Sequence, residues 1–240
     1  MNLAIDAGNS RVKWGWHDGG SWKSLSTVSL IEFAAGGHDI NPFATTHENP
    51  SSIVISNVAG DGAHQLIVNW TSIFDLEPRW VRGLPEQCGV RNGYEVPDQL
   101  GPDRWAALIA ARALYKGDCV VVNAGTATTV DLLTAEGEFQ GGLILPGVEL
   151  MRFVLHEHTG KLPIQEGHFA RTPRNTLDAI ETGCRHAQAG AVERMVRNAG
   201  AGTECIVSGG AGPALMERLE IPCRYVENLV LEGLAHIASA

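Results

Sequence analysis

The chain alternates short apolar runs with longer stretches of helical character. LAID, from Leu3, and VKWGWH, from Val12, predict two strands joined by a glycine turn. SIVISNV, beginning at Ser52, is a run of β-branched residues and predicts another strand. DRWAALIAARALY, from Asp103 to Tyr115, has helical composition, opens on an acid and stops at Lys116-Gly117. VVVNAGTATTVDLL at 120–133 is again strand, glycine turn, strand. NTLDAIETGCRHAQAGAVERMVRNAG predicts a long helix ending in glycine. ECIVSGGAG predicts a strand running into a glycine turn, and ENLVLEGLAHIASA a closing helix. This alternation predicts an α/β fold. Segments 36–52 and 83–102, rich in loop-forming residues, are expected to be loops.

Two of these stretches align without gaps. LAIDAGNS and VVVNAGTA place Leu3 on Val120, an offset of 120 − 3 = 117 residues, about half the chain. Each is an apolar strand, a polar residue, Ala-Gly and small polar residues, followed by a second β run. The chain therefore divides into two candidate domains, 1–116 and 117–240. Strand–glycine–strand is also common in any α/β protein, so this match alone leaves duplication open.

A chain of 240 residues can bury a full core in one large domain or two small ones. A hydrophobic share of 44% with 19% charged residues is that of a globular protein, so disorder is not expected. No apolar run approaches the roughly 18 residues of a membrane span. The N-terminus has no basic leader and enters a strand at once, which predicts a cytoplasmic protein. Five cysteines without CxxC spacing suit a reducing compartment and fit no zinc site. A net charge of −9 argues against a nucleic-acid partner, so any anion site must rest on a local positive field.

The chain has no GxxxxGK[ST], no GxGxxG after a strand, no HExxH and no GxSxG. His156-Glu157-His158 lacks helical metal spacing and is expected to be solvated. The two glycine hairpins remain. Glycine lets a turn offer backbone N–H groups to an anion. Asn9, Ser10, Thr126 and Thr128 add donors and Lys13 a point charge, while Asp6 at a strand end could hold Mg²⁺. Asp103 follows Gly101-Pro102. It fits two roles: a helix N-cap, or a base whose charge the helix N-terminus preserves, leaving it weak. Arg104 could clamp a carboxylate. GGLILPGVELM suits close backbone approach, and Ser208 to Gly212 could seat a ribose or adenine.

In order, DAGNSRVKWG, GYEVPDQLGPDRWAAL, NAGTATTVDLL, GGLILPGVELM, TGKLP, NTLDAIETG and SGGAG resemble the type III pantothenate kinase family. This family belongs to the acetate kinase/Hsp70/actin-like superfamily. The resemblance implies a duplicated actin-like (ASKHA) fold: two RNase H-like domains, each a mixed sheet with flanking helices. It implies ATP-dependent phosphorylation of pantothenate at its 4′-hydroxyl, the first step towards coenzyme A, in a homodimer with a shared active site. Asp6 would be the magnesium-linked acid. Asp6, Ala7, Gly8, Asn9, Ser10, Arg11, Val12 and Lys13 would form the first phosphate loop, with Gly125 and Thr126 in the second. Asp103 would be the base. Tyr94, Gly101, Pro102, Asp103 and Arg104 would bind pantothenate, and Thr176 would complete the pocket from the partner subunit. The family's second motif opens on an aspartate that binds a monovalent cation, K⁺ or NH₄⁺. Here that position is Asn123, so potassium dependence is expected to be weaker or absent. Two other readings keep the fold: a kinase for another small acid or sugar, and a non-catalytic nucleotide-sensing accessory factor of the Bvg type.

Overall fold

A computed structural model describes residues 1–35, 43 and 49–240. Most of the expected loop 36–52 lies outside the described residues. The chain divides into two compact units, Met1–Leu114 with Asn228–Ala240, and Tyr115–Glu227.

In the first unit, β1 (Asn2–Ala7), β2 (Arg11–His17), β3 (Trp22–Ser29), β4 (Ser52–Asn57) and β5 (Arg79–Trp80) form one sheet in the order β3-β2-β1-β4-β5. β1–β2 and β2–β3 run antiparallel, and β1–β4 and β4–β5 parallel. Strand periodicity sends alternate side chains to opposite faces. Leu3, Ile5, Ala7, Ile53 and Ile55 share the core face with Trp14, Trp16 and the short helix α1 (Leu30–Ala35). They also pack against Ile67 and Trp70 of α2 (Asp61–Thr71). Edge-to-face pairs such as Trp16–Phe74, at 5.9 Å between centroids, fill this layer. Asp6 and Ser56 point to the other face.

That face is covered by α3 (Pro102–Leu114) and α7 (Leu229–Ser239), which pack on each other and on β1 and β4. α7 follows the second unit in sequence yet belongs to the first. Gly233 explains how closely it docks: a Cβ there would stand 1.9 Å from the Ala106 carbonyl oxygen. The expected loop 83–102 is more ordered than its prolines suggest. It contains a hairpin of β6 (Glu86–Gln87) and β7 (Val90–Asn92), turned by Cys88 and Gly89, both at positive φ.

In the second unit, β8 (Cys119–Ala124), β9 (Ala127–Leu133), β10 (Glu138–Pro146), β11 (Glu204–Ser208) and β12 (Arg224–Tyr225) follow the order β10-β9-β8-β11-β12. β8–β9 and β9–β10 are antiparallel, β8–β11 and β11–β12 parallel. Order and direction repeat those of the first unit strand for strand, which is the duplicated RNase H-like arrangement expected of the family. Val120, Val122, Ala124, Val130, Cys205 and Val207 pack under α5 (Thr176–Ala199) and α6 (Gly212–Met216). Asn175 caps α5, its side-chain oxygen accepting the Asp178 N–H at 2.9 Å. α4 (Val148–His158) is tied to α5 by Glu181, fully buried and flanked by Arg152 at 2.8 Å and Arg185 at 2.5 Å. All five cysteines are free thiols. Among the described residues no helix is long and apolar enough to cross a membrane.

Candidate active site

The first unit gathers its polar chemistry on the sheet face under α3 and α7. Sheet register places Asp6 between Lys13 on β2 and Ser56 on β4. Asp6 Oδ1 is buried without a hydrogen-bond partner, and so is Ser56 Oγ. Burial pushes the Asp6 carboxyl up to about 7. The Asp103 charge adds to this, while Lys13 and then Ser56 pull it down. An ionised Asp6 is thus undercompensated by its own protein, which is the condition of a carboxylate awaiting a cation. Lys13 Nζ donates to Asn228 Oδ1 at 3.1 Å, joining the first hairpin to the start of α7.

The turn between β1 and β2 is closed by Gly8 N–H donating to the Arg11 carbonyl at 2.9 Å, and Asn9, Ser10 and Arg11 are exposed at its tip. These side chains and the Lys13 ammonium are donors suited to phosphate oxygens.

Asp103 lies in the first turn of α3, one residue inside the Pro102 start, with Gly101 in the capping position. Its Oδ1 accepts the Arg104 N–H at 2.8 Å, and a Cβ on Gly101 would crowd that oxygen at 2.8 Å. The expectation of a weak base held ionised by the helix end needs correction. Burial raises the Asp103 carboxyl above the usual range, outweighing the Arg104 N–H and guanidinium that lower it. A raised carboxylate is a better proton acceptor.

Arg104 is itself 4% exposed and donates from Nη1 to the Tyr94 hydroxyl at 2.9 Å, with the guanidinium 5.6 Å from the ring centroid. Asn92 orders the approach to Tyr94. It accepts the Tyr94 N–H at 3.0 Å and donates to the Pro97 carbonyl at 3.1 Å. Trp105 anchors the same helix turn by donating to Gln87 at 2.8 Å. Asp6, Lys13, Asp103, Arg104 and Tyr94 are therefore all held in the first unit. Ser56 and Asn228 belong with them and are not evident from motifs. The only trace of Ser56 is a polar residue directly after the apolar run Ile53–Ile55.

In the second unit Asn123 ends β8 where Asp6 ends β1, with Thr129 and Ser208 as register neighbours. The hairpin is closed by Gly125 N–H donating to the Ala127 carbonyl at 3.0 Å, and Thr126 is exposed. Two glycines press against it. A Cβ on Gly147 would stand 2.2 Å from the Gly125 carbonyl, and one on Gly209, at φ +91°, would stand 2.2 Å from the Ala124 carbonyl. GGLILPG and SGGAG are thus backbone-approach elements at one hairpin. Thr176 opens α5 and lines an apolar groove of about 1020 Å³ with Pro146, Met151, Val154, Leu155 and Ile180. His156 is half-buried rather than solvated, its Nδ1 2.7 Å from the Leu162 carbonyl.

Two mixed sheets of one topology, each with a glycine hairpin at the end of its first strand, give the chain a duplicated actin-like (ASKHA) fold. A structure described as a 2-dehydro-3-deoxygalactonokinase protein from Sinorhizobium meliloti superposes with a TM-score of 0.65 at 15% identity, covering 100% of this chain and 98% of its own. One described as a conserved Baf family transcriptional activator from Campylobacter jejuni gives 0.63 at 22%, covering 99% and 97%. At these identities the likeness concerns the fold alone. The family model for type III pantothenate kinase matches residues 2–198. A type III pantothenate kinase of Aromatoleum aromaticum is 49% identical over 240 residues, covering 99% of this chain and 98% of its own. The chain belongs to the type III pantothenate kinase family.

Proposed function

We propose that the protein phosphorylates pantothenate at its 4′-hydroxyl with ATP, giving 4′-phosphopantothenate for coenzyme A synthesis in the cytoplasm. One observation supports this reading above the others: a half-buried Asp103, its carboxyl held above the usual range by desolvation, stands within electrostatic reach of Asp6, in a chain of this family. The ATP phosphates are bound by Asp6 to Lys13 and by Gly125 and Thr126. Lys13 supplies positive charge to the transferring group. Asp103 accepts the hydroxyl proton, and its placement in the first turn of α3 fixes the direction of attack. Phosphoryl transfer demands mostly positioning and charge stabilisation, so a single well-placed carboxylate suffices as base. Tyr94, Gly101, Pro102 and Arg104 hold pantothenate, the guanidinium facing its carboxylate.

The residues present fit a magnesium ion. Asp6 Oδ1 is a buried oxygen without a partner, and Mg²⁺ takes one or two carboxylates together with phosphate oxygens. When bound there, the ion would neutralise phosphate charge. Asn123 offers an amide oxygen and no charge where the family carries an acid, so no step is assigned to a monovalent cation.

A homodimer completes the pocket with Thr176 of the partner subunit. The exposed apolar residues Leu143, Ile144, Leu150, Phe153 and Val154 and the groove beside Thr176 support a covered face there. The deciding experiment is ADP release by purified protein with magnesium and pantothenate, with phosphopantothenate detected by mass. Absence of pantothenate-dependent turnover overturns the reading. Light scattering that shows a monomer at micromolar concentration overturns the dimer.

A further inference from the structure

Among the described residues of the first unit, four buried side-chain atoms lack a well-formed hydrogen bond: the indole nitrogens of Trp16 and Trp70, Asp6 Oδ1 and Ser56 Oγ, and the last two belong to register neighbours. Asp6 and Ser56 pair on the parallel strands β1 and β4. Adjacent strands lie about 4.8 Å apart, and register neighbours in a parallel pair point to the same face. Ser56 is 0% exposed; its hydroxyl acts on the neighbouring Asp6 carboxyl, which it helps to hold ionised, but neither its Oγ nor Asp6 Oδ1 makes a hydrogen bond of good geometry. Burying an unpaired hydroxyl is costly, and an alanine at this site would avoid the cost. Adjacent oxygens whose hydrogen bonding is left incomplete in a buried place have room for a shared polar guest. A hydroxyl suits that task, since it donates one hydrogen bond and accepts two. Magnesium keeps much of its water when bound, so its site needs groups that hold those waters as well as groups that touch the ion.

We propose that Ser56 is a positioning residue of the cation site, its hydroxyl holding the water shell of the divalent ion that Asp6 binds. This rests on the reading of Asp6 as the magnesium-linked acid and deepens it. Ser56 donates to a carboxylate or phosphate oxygen and accepts from a water of the ion. Lys13 lies on the opposite strand neighbour and is drawn to Asn228, so Ser56 is the group that serves the β4 side of Asp6.

The test is Mn²⁺ binding to the ADP-loaded full chain at pH 8, read by water-proton relaxation, for wild type, Asp6→Asn and Ser56→Ala. Thermal melts confirm that each variant folds. Ser56→Cys, which nearly keeps the side-chain volume, replaces the alanine variant if that one does not fold. The expected result is near-complete loss of binding in Asp6→Asn and weakening of about 10-fold or more in Ser56→Ala. If Asp6→Asn loses Mn²⁺ while the Ser56 variant binds within about 2-fold of wild type, the Ser56 proposal fails and the Asp6 reading stands. If Asp6→Asn binds like wild type, or wild type does not bind, both fail.

Discussion

Asp6 faces Lys13 directly across the β1–β2 ladder, yet its carboxyl sits near 7 because burial and the Asp103 charge together outweigh the ammonium. This places a titration near neutrality inside the site. The folded protein holds a proton on Asp6 that the unfolded chain gives up near 3.8. Stability from this group is therefore greatest at low pH, falls as pH rises from about 4 to 7, and is flat above. Asp6→Asn removes the dependence. At pH 8, without metal, the variant should melt higher than wild type by several degrees, reflecting a difference of order 2–4 kcal/mol. Adding Mg²⁺ with ADP should narrow the gap by stabilising wild type alone. Thermal melts across pH 4 to 8, with and without metal, check this. A variant that melts lower than wild type at pH 8 contradicts it.

Asp103→Asn keeps the shape of the first turn of α3 and removes the proton acceptor. Loss of a general base commonly costs about 10²–10⁴-fold in rate, and kcat should fall by at least the lower figure with little change in the KM for ATP. Because burial already disfavours the charged form, the variant should be as stable as wild type or more so. Steady-state ADP release together with a denaturant melt separates the two effects. Near-normal turnover sinks the assignment.

The hairpins at Asp6 and Asn123, the helix at Asp103 and the strand–helix alternation were all legible as patterns, because each is local: a period, a glycine or a cap. What stayed hidden depends on register and docking. Ser56 matters only because β4 runs parallel to β1 in a frame that sets it beside Asp6. Asn228 matters only because α7 returns to the first unit and meets Lys13. The raised Asp103 carboxyl was misjudged for a similar reason. The helix end is visible in sequence, but the desolvation that overrides it comes from packing.

The Arg104–Tyr94 contact orients a cation that α3 has buried almost completely. Tyr94→Phe removes one acceptor from the guanidinium without changing the ring that lies 5.6 Å from it. A hydrogen bond to a charged group contributes about 1.5–3 kcal/mol. The KM for pantothenate should accordingly rise roughly 10-fold, with kcat and the KM for ATP changing much less. An initial-rate study varying each substrate in turn checks the split. Equal effects on both KM values would mean that Tyr94 supports the fold rather than the acceptor.

Glu181 joins α4 to α5 by facing two arginines from a position with no solvent access. Removing the carboxylate leaves Arg152 and Arg185, both largely buried, without their shared counter-charge. Breaking a buried pair on one side costs about 3–5 kcal/mol, so Glu181→Ala should lower the denaturant midpoint strongly. Glu181→Gln, which keeps two polar atoms but not the charge, should fall between. A change under about 1 kcal/mol for the alanine variant would place the charge balance elsewhere, for example on Glu166, which lies 3.7 Å from Arg152 and 3.8 Å from Arg185.

Asn123 and Asp6 occupy equivalent strand ends, and the difference between them predicts how the protein responds to salt. The side-chain oxygen of Asn123 points towards Gly209, where a Cβ would approach it to 2.7 Å. An amide oxygen can ligate a large monovalent cation, but without charge it has little hold on one in water. Wild-type turnover should therefore change less than about 2-fold when K⁺ replaces a non-coordinating cation at constant ionic strength. Asn123→Asp puts at this position the acid that the family resemblance implies, next to a backbone that already approaches closely. It should make turnover depend on K⁺, with saturation, and NH₄⁺ should substitute while Na⁺ does so poorly. Strong potassium activation of the unsubstituted protein would show that the amide and nearby carbonyls suffice, and would remove the charge argument on which this prediction rests.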